Sequence, residues 1–389
     1  MTNKMKQTTD IELNNKFEPQ TIKKNETMKT NLNILAGAAT ILVLASCNKK
    51  EVVSIPEPDA ISFHTQVGLA TKAASKTAFT AGDKFNVWAS YDNAGAVTRY
   101  FQDNFKFDGS YWYSDTTPYY WPADIDATHT LTFHAVWPET IGRPVAADAF
   151  SYAVGDAAES QKDVLYAKHV STTRETSGVS LNFRHALSQI VVKAKNTSGT
   201  LKCEVTGIKI AYVNKAGDFK AESMAASSTD EHDNGNLARS DWKTTDGAAS
   251  AARAYVQNGM AINVTPNAAA AQLGESWILI PQLQTKAGSY TSEEEGAAMD
   301  GAYLAVKMTI KNAADGTVVA SERWCSWPVA LNWTPGYKYT YIIDLAGGGY
   351  EEKNDDGDED LDPVLENQEI FFVDCTVDAW DVSDQNITL

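Results

Sequence analysis

Apolar and polar residues alternate with a period of two over most of the chain from Ile61 onward, and apolar repeats at helical spacing are nearly absent. That pattern predicts half-buried strands, because successive side chains on a strand point to opposite faces. Ile61, Phe63, Thr65 and Val67 share one face of a first strand. Residues 85–91 form another, entered through Ala81-Gly82-Asp83-Lys84. The aromatic stretches 105–107 and 111–113 flank Asp108-Gly109, a hairpin signal. Residues 130–137 make a strand that Pro138 stops, and residues 163–167 make a short apolar one.

A polar, Ser/Thr-rich stretch at 171–178 reads as a domain boundary, and a second set of strands follows it. These cover residues 179–193, 203–213, 252–264, 276–280, 303–310, 318–324, 337–345 and 369–380. In the last of them Phe371, Val373, Cys375 and Val377 alternate on one face. Residues 222–251 and 264–273 are rich in Ala, Ser, Thr and Asn and read as long loops. About six strands in one half and about eight in the other predict an all-β protein of two tandem sandwiches, over residues 60–175 and 176–389.

The first 59 residues have a different grammar. Residues 1–27 are polar and lack apolar periodicity, and read as an upstream extension ahead of a true start at Met28. Lys29 then precedes a 12-residue apolar run, 34–45, that closes on Leu44-Ala45-Ser46-Cys47. A positive start, a short apolar run and small residues before a cut are the parts of a secretory signal, here residues 28–46. The run is too short to cross about 30 Å of hydrocarbon as a helix. Leu-Ala-Ser-Cys resembles a bacterial lipobox, which implies cleavage before Cys47 and acylation of its sulfur. Residues 47–59, with Pro56 and Pro58, read as a tether.

Composition narrows the function. The 389 residues are 43% hydrophobic, enough for a real core. The net charge is −17, and processing at Cys47 would make it −19, with 27 basic and 46 acidic residues. Nucleic acid and anionic lipid headgroups would repel such a chain, so no nucleic-acid partner is expected. Acyl chains on Cys47 would hold it on a membrane all the same, since each buried CH₂ contributes about 0.8 kcal/mol. Four cysteines, none in a C-x-x-C pair, exclude a disulfide-dense scaffold and a zinc ribbon. Cys203, Cys325 and Cys375 lie in or beside predicted strands and are expected as buried thiols, with one disulfide at most.

Enzyme signatures are missing. The six histidines include no H-E-x-x-H, and no P-loop, G-x-G-x-x-G or G-x-S-x-G occurs. His129 and His134 are five apart on one strand and point to opposite faces. His185 reads as a packing residue. The acidic run 354–362 is dense in oxygen ligands, but Pro363 stands where a calcium loop needs Glu, so it reads as a solvated loop. No catalytic residue, metal or cofactor is expected. Tyr111-Trp112-Tyr113 and Tyr119-Tyr120-Trp121 are candidates to stack on sugars, against a plainer reading as sandwich cover.

Four motifs in order carry a family resemblance. They are Ala81-Gly82-Asp83; Asp163-Val-Leu-Tyr-Ala167; Leu181-Asn-Phe183-Arg-His185-Ala-Leu187-Ser-Gln-Ile190; and Trp333-Thr-Pro-Gly336-x-x-Tyr339-x-Tyr341 with Val377-x-x-Trp380. Following a lipobox, they resemble the fimbrillin-like lipoproteins of Bacteroides-type bacteria, subunits of type V pili. The resemblance implies two transthyretin-like sandwiches, export to the outer membrane as a lipoprotein, and assembly into cell-surface adhesive fimbriae. It implies that a trypsin-like protease removes the first strand and that the vacated groove accepts a strand from another subunit. Mapped onto this chain, Ile61, Phe63, Thr65 and Val67 are the displaceable strand. Lys72 or Lys76 is the cut, in a small-residue segment that offers Lys rather than Arg. Phe371, Val373, Cys375 and Val377 are the candidate donor, unless that strand completes its own domain. Partners are then other fimbrial subunits, the outer membrane through Cys47, and a receptor on a host or bacterial surface. The alternative is a surface lipoprotein that binds glycans and never polymerises.

Overall fold

A computed structural model describes residues 59–67, 78–141, 148–222, 237–250, 252–293, 296–352, 360–366, 368–370 and 373–379. The signal segment, Cys47, Lys72, Lys76, Phe371, Trp380 and most of the acidic run lie outside the described residues. Strands dominate, and helical structure among the described residues is limited to three short 3₁₀ turns. The protein is all-β, as the alternation predicts.

The first half supplies β1 (Phe63–Val67), β2 (Lys84–Asn93), β3 (Ala96–Phe107), β4 (Trp112–Ser114), β5 (His129–Trp137), β6 (Ala149–Ala153), β7 (Leu165–Ser171) and β8 (Val179–His185). Seven of these form one sheet in the order β1-β8-β7-β5-β2-β3-β4. The sheet curls until its two ends meet: Trp112 Nε1 on β4 donates to Thr65 Oγ1 on β1 at 3.0 Å. Its inner face holds an aromatic core that includes Phe63, Phe85, Phe101, Phe105, Phe133 and Phe183. The Asp108-Gly109 turn behaves as its chemistry requires. Asp108 Oδ1 accepts from the backbone N–H of Ser110 and of Tyr111, both at 2.7 Å, and Gly109 takes φ +106°, which an L side chain resists.

The second half begins with β9 (Ser188–Lys195), β10 (Leu201–Ala211), β11 (Ala216–Lys220), β12 (Trp242–Thr244), β13 (Ala254–Val264), β14 (Ala271–Gln272), β15 (Trp277–Leu279) and β16 (Leu283–Gln284). It continues with β17 (Tyr290–Glu293), β18 (Gly296–Met299), β19 (Tyr303–Asn312), β20 (Val318–Pro328), β21 (Leu331–Asn332), β22 (Tyr337–Asp344), β23 (Tyr350–Glu351) and β24 (Asp374–Ala379). One sheet runs β13-β10-β19-β20-β23; a second runs β14-β9-β22-β24, with β15 also on β9. Ile190, Tyr341 and Ile343 from the second sheet share a buried core with Val205, Ile208 and Val306 from the first, so the two form a sandwich. The Trp-Thr-Pro-Gly motif anchors it. Trp333 is fully buried and its Nε1 donates to Tyr341 Oη at 2.9 Å; Gly336, at φ +73°, donates its N–H to the Leu187 carbonyl at 2.9 Å.

The sheets do not change where the Ser/Thr-rich stretch suggests. β8 follows residue 175 yet pairs with β1 and β7 in the first sheet, and sheet membership switches only at Ala186-Leu187. β6, from the first half, pairs with β11 in a three-stranded sheet, β12-β11-β6. There Phe150 stacks on Phe219, Trp242 meets Phe219 edge to face, and Tyr166 of β7 lies tilted against Phe219 with centroids 5.1 Å apart. The two halves therefore share buried side chains across that sheet.

His134 sits at this junction, buried, with Nδ1 hydrogen-bonded to Tyr166 Oη at 2.7 Å. Burial, aided by Lys168, holds its imidazole down at about 4. The folded protein keeps it neutral while the unfolded chain takes up a proton near pH 6.5, so stability falls as pH drops from about 6.5 towards 4. His134→Gln retains a hydrogen-bonding side chain without the titration. Urea unfolding at pH 7 and at pH 4.5 should show the native protein losing about 2 kcal/mol more than the variant. Equal losses would mean that this imidazole does not govern acid sensitivity.

Cys203 and Cys325 are buried free thiols, pushed up to about 12 by burial. Cys375 departs from expectation: it is free and the residue is exposed on β24, although its thiol lies against Tyr341 and partial burial pushes it up to about 11.

Candidate strand-exchange seam

β1 occupies the place where the curled sheet closes. Its side chains alternate as read from the sequence: Ile61 and Phe63 are 4% and 3% exposed, Thr65 and Val67 half-buried, and His64 and Gln66 exposed. Phe63 meets Phe85, Phe105 and Phe133 edge to face, with centroids 5.8, 4.7 and 5.5 Å apart. Such contacts add about 0.5–1.5 kcal/mol each beyond the area buried.

On one side β1 runs parallel to β8, in the register Phe63↔Val179, Thr65↔Leu181 and Val67↔Phe183. A parallel ladder is slightly weaker per residue than an antiparallel one. On the other side the chain meets the loop after β4. Ala60 bridges Tyr120, and the Ile61 N–H donates to the Tyr119 carbonyl at 2.7 Å. The approach at the top of β8 is close. A Cβ on Gly178 would lie 2.8 Å from the His64 ring, and Gly178 also takes φ +106°, so only glycine fits there.

Several residues of this seam escape the first reading. Phe79, just beyond residues 68–77, packs against Trp112 at 5.0 Å and Phe183 at 5.1 Å. Both ends of the segment carrying Lys72 and Lys76 therefore dock on the same core. Asp103 Oδ2 accepts from Ser114 Oγ and Thr116 Oγ1, both at 2.6 Å, and from Tyr119 Oη at 3.3 Å. That buried carboxylate holds the loop whose backbone receives β1. A signal for it exists in the sequence, since Asp103 falls between Phe101 and Phe105 on the inward face of its strand.

The candidate donor lies elsewhere. β24 pairs antiparallel with β22 of its own sheet, from Tyr337↔Ala379 to Ile342↔Asp374. Val373 packs at the margin of the second core, whereas Cys375 and Val377 are exposed, Val377 at 53%. β24 is thus a sheet edge held mainly through its backbone.

The histidines are dispersed. His129 pairs with Asp126 at 3.0 Å and His169 with Glu175 at 2.7 Å. His185 Nδ1 meets Asp163 Oδ2 at 2.8 Å with both side chains buried, in line with a packing role. Among the described residues no group of three or more His, Cys, Asp or Glu side chains is placed to hold a metal. Of the aromatic candidates for sugar contact, Trp112 is core and Tyr119 stacks on Phe101 at 4.1 Å, while Tyr111 and Tyr120 are exposed.

Comparison with known proteins agrees with the motifs. No curated protein matches the chain. A candidate cell adhesion protein from Bacteroides ovatus is similar in structure, with 14% identity and a TM-score of 0.44, covering 84% of this chain and 100% of that one. Another, from Bacteroides uniformis, has 14% identity and a TM-score of 0.43 with the same coverage. A fimbrial protein from Bacteroides ovatus has 14% identity and a TM-score of 0.30, covering 76% of this chain and 50% of that one. The model of the fimbrillin-like family matches residues 71–380, so β1 precedes the matched span. The chain belongs to the fimbrillin-like family.

Proposed function

We propose that the protein is a subunit of cell-surface fimbriae that assembles by strand exchange at the β1 seam. It is exported as a lipoprotein acylated on Cys47 and carried to the outer membrane. A trypsin-like protease cuts after Lys72 or Lys76, β1 leaves, and another subunit supplies a strand to β8 and to the loop at 119–120. The single observation that carries this reading is the position of β1. It fills the closure of an aromatic core, bonds in parallel, and is joined to the rest of its sheet through residues 68–77. β-Strand addition gives affinity through the backbone and specificity through alternate pockets, here those of Ile61 and Phe63. β24 is the donor we assign, because its Val373, Cys375 and Val377 alternate in sequence as the inward residues of β1 do and Val377 is exposed in its own sheet. Such a subunit serves adhesion to a host or bacterial surface.

Limiting trypsin on soluble chain beginning at Asn48 tests this. The expected result is one early cut after Lys72 or Lys76, read by N-terminal sequencing, followed by concentration-dependent ladders in native mass measurements. A trimmed chain that stays monomeric at high concentration, or a segment that resists trypsin, would overturn the proposal.

A further inference from the structure

A small pocket of about 230 Å³ opens beside the seam, lined by Asp59, Ala60, Tyr120, Trp121, Arg174 and Thr176. Its chemistry is mixed in a particular way. Tyr120 presents an aromatic ring that is 45% exposed, and its backbone is fixed twice, by the bridge to Ala60 and by the Tyr100 hydroxyl, which donates to its carbonyl at 2.6 Å. Trp121 is 9% exposed and its ring packs edge to face on Phe133 at 6.0 Å. Its indole Nε1–H is buried and meets no acceptor among the described residues. Arg174 is steadied at the rim by the Pro122 carbonyl, 3.4 Å from Nη2.

We propose that this pocket binds the terminal residue of a neutral glycan, a single pyranose. Sugar hydroxyls donate and accept at once, and the pocket offers both kinds of partner: Asp59 accepts, Arg174 donates, and Thr176 does either. The exposed face of Tyr120 suits the C–H face of a pyranose. The volume lies below the ~300 Å³ at which pockets for drug-sized ligands begin, which fits one ring rather than an oligosaccharide. The Asp59 carboxylate in the wall and the chain's net charge of −17 disfavour acidic sugars. The site is built in the untrimmed chain and goes beyond strand exchange; the cut proposed after Lys72 or Lys76 would remove its Asp59 and Ala60.

The test uses untrimmed chain from Asn48 and methyl glycosides of glucose, galactose, mannose and N-acetylglucosamine, with methyl glucuronide for comparison. Saturation-transfer NMR should detect at least one neutral glycoside, with a Kd of about 1–20 mM. Tyr120→Ala and Arg174→Ala should each weaken it about tenfold. Circular dichroism checks that each variant folds. The proposal is overturned if no neutral glycoside binds, if methyl glucuronide binds more tightly, or if the two variants bind as the native protein does. None of these outcomes depends on whether trypsin trims the chain.

Discussion

Replacing Phe63 with alanine should cost about 3–5 kcal/mol, the range for deleting a large buried aromatic. The side chain is fully enclosed and three phenylalanines lie edge-on to it, so the cavity it leaves is lined by rings that cannot close up without moving β2, β3 and β5. The variant should also free β1 from the seam. Trypsin cleavage within residues 68–77 should quicken, because the segment is tethered at one end by β1 itself. His64→Ala is not the right control, since that ring abuts Gly178; Gln66→Ala is, as Gln66 is exposed on the outer face. Urea unfolding of the two variants separates the cases. A Phe63→Ala protein that lost less than about 1 kcal/mol would show that β1 is not part of the core and that its removal opens no groove.

His185→Ala should be as damaging, for an electrostatic reason. His185 and Asp163 are 3% and 1% exposed, and the pair stands where β7 and β8 pass from the aromatic core of the first sheet to the sandwich core. Next to it the Ala186 N–H donates to the Val164 carbonyl at 2.8 Å, and Trp242 Nε1 donates to the Ala186 carbonyl at 2.6 Å. Deleting the imidazole takes one hydrogen-bond partner from a buried carboxyl group, and breaking a buried pair in this way costs about 3–5 kcal/mol. Asp163→Asn removes the charge but keeps an oxygen that accepts, so its cost should be nearer 1–2 kcal/mol. Thermal unfolding of both variants gives the ranking. If His185→Ala were the milder of the two, the imidazole would not be what secures this buried carboxyl group.

Reading strands from period-two alternation succeeds here because the signal is local. Phe85, Val87 and Ala89 announce β2, and Asp108-Gly109 announces the hairpin between β3 and β4, from residues within one turn of each other. The inward face of β1 is legible for the same reason. Alternation does not say whether anything lies over a face. Cys375 and Val377 look buried by pattern, yet both residues are exposed on β24, the last strand of its sheet. Tyr119-Tyr120-Trp121 reads as one aromatic cluster, yet the loop held by Asp103 sends Tyr119 into the core, leaves Tyr120 outside and turns Trp121 against Phe133.

Local pattern settles the all-β class, the faces of most strands and the chemistry of the turns, and the four ordered motifs point to the fimbrillin-like family. Pairing was decided elsewhere. β1 joins β8 across more than a hundred residues, β6 crosses to β11, and β8 remains with the first sheet although it follows the apparent boundary. A strand's backbone hydrogen bonds are alike for every partner, so propensity cannot choose among them. The choice falls to the packing of side chains distant in sequence: Phe63 among Phe85, Phe105 and Phe133, and Phe219 against Tyr166. The seam and the pocket beside it exist only once those contacts have formed.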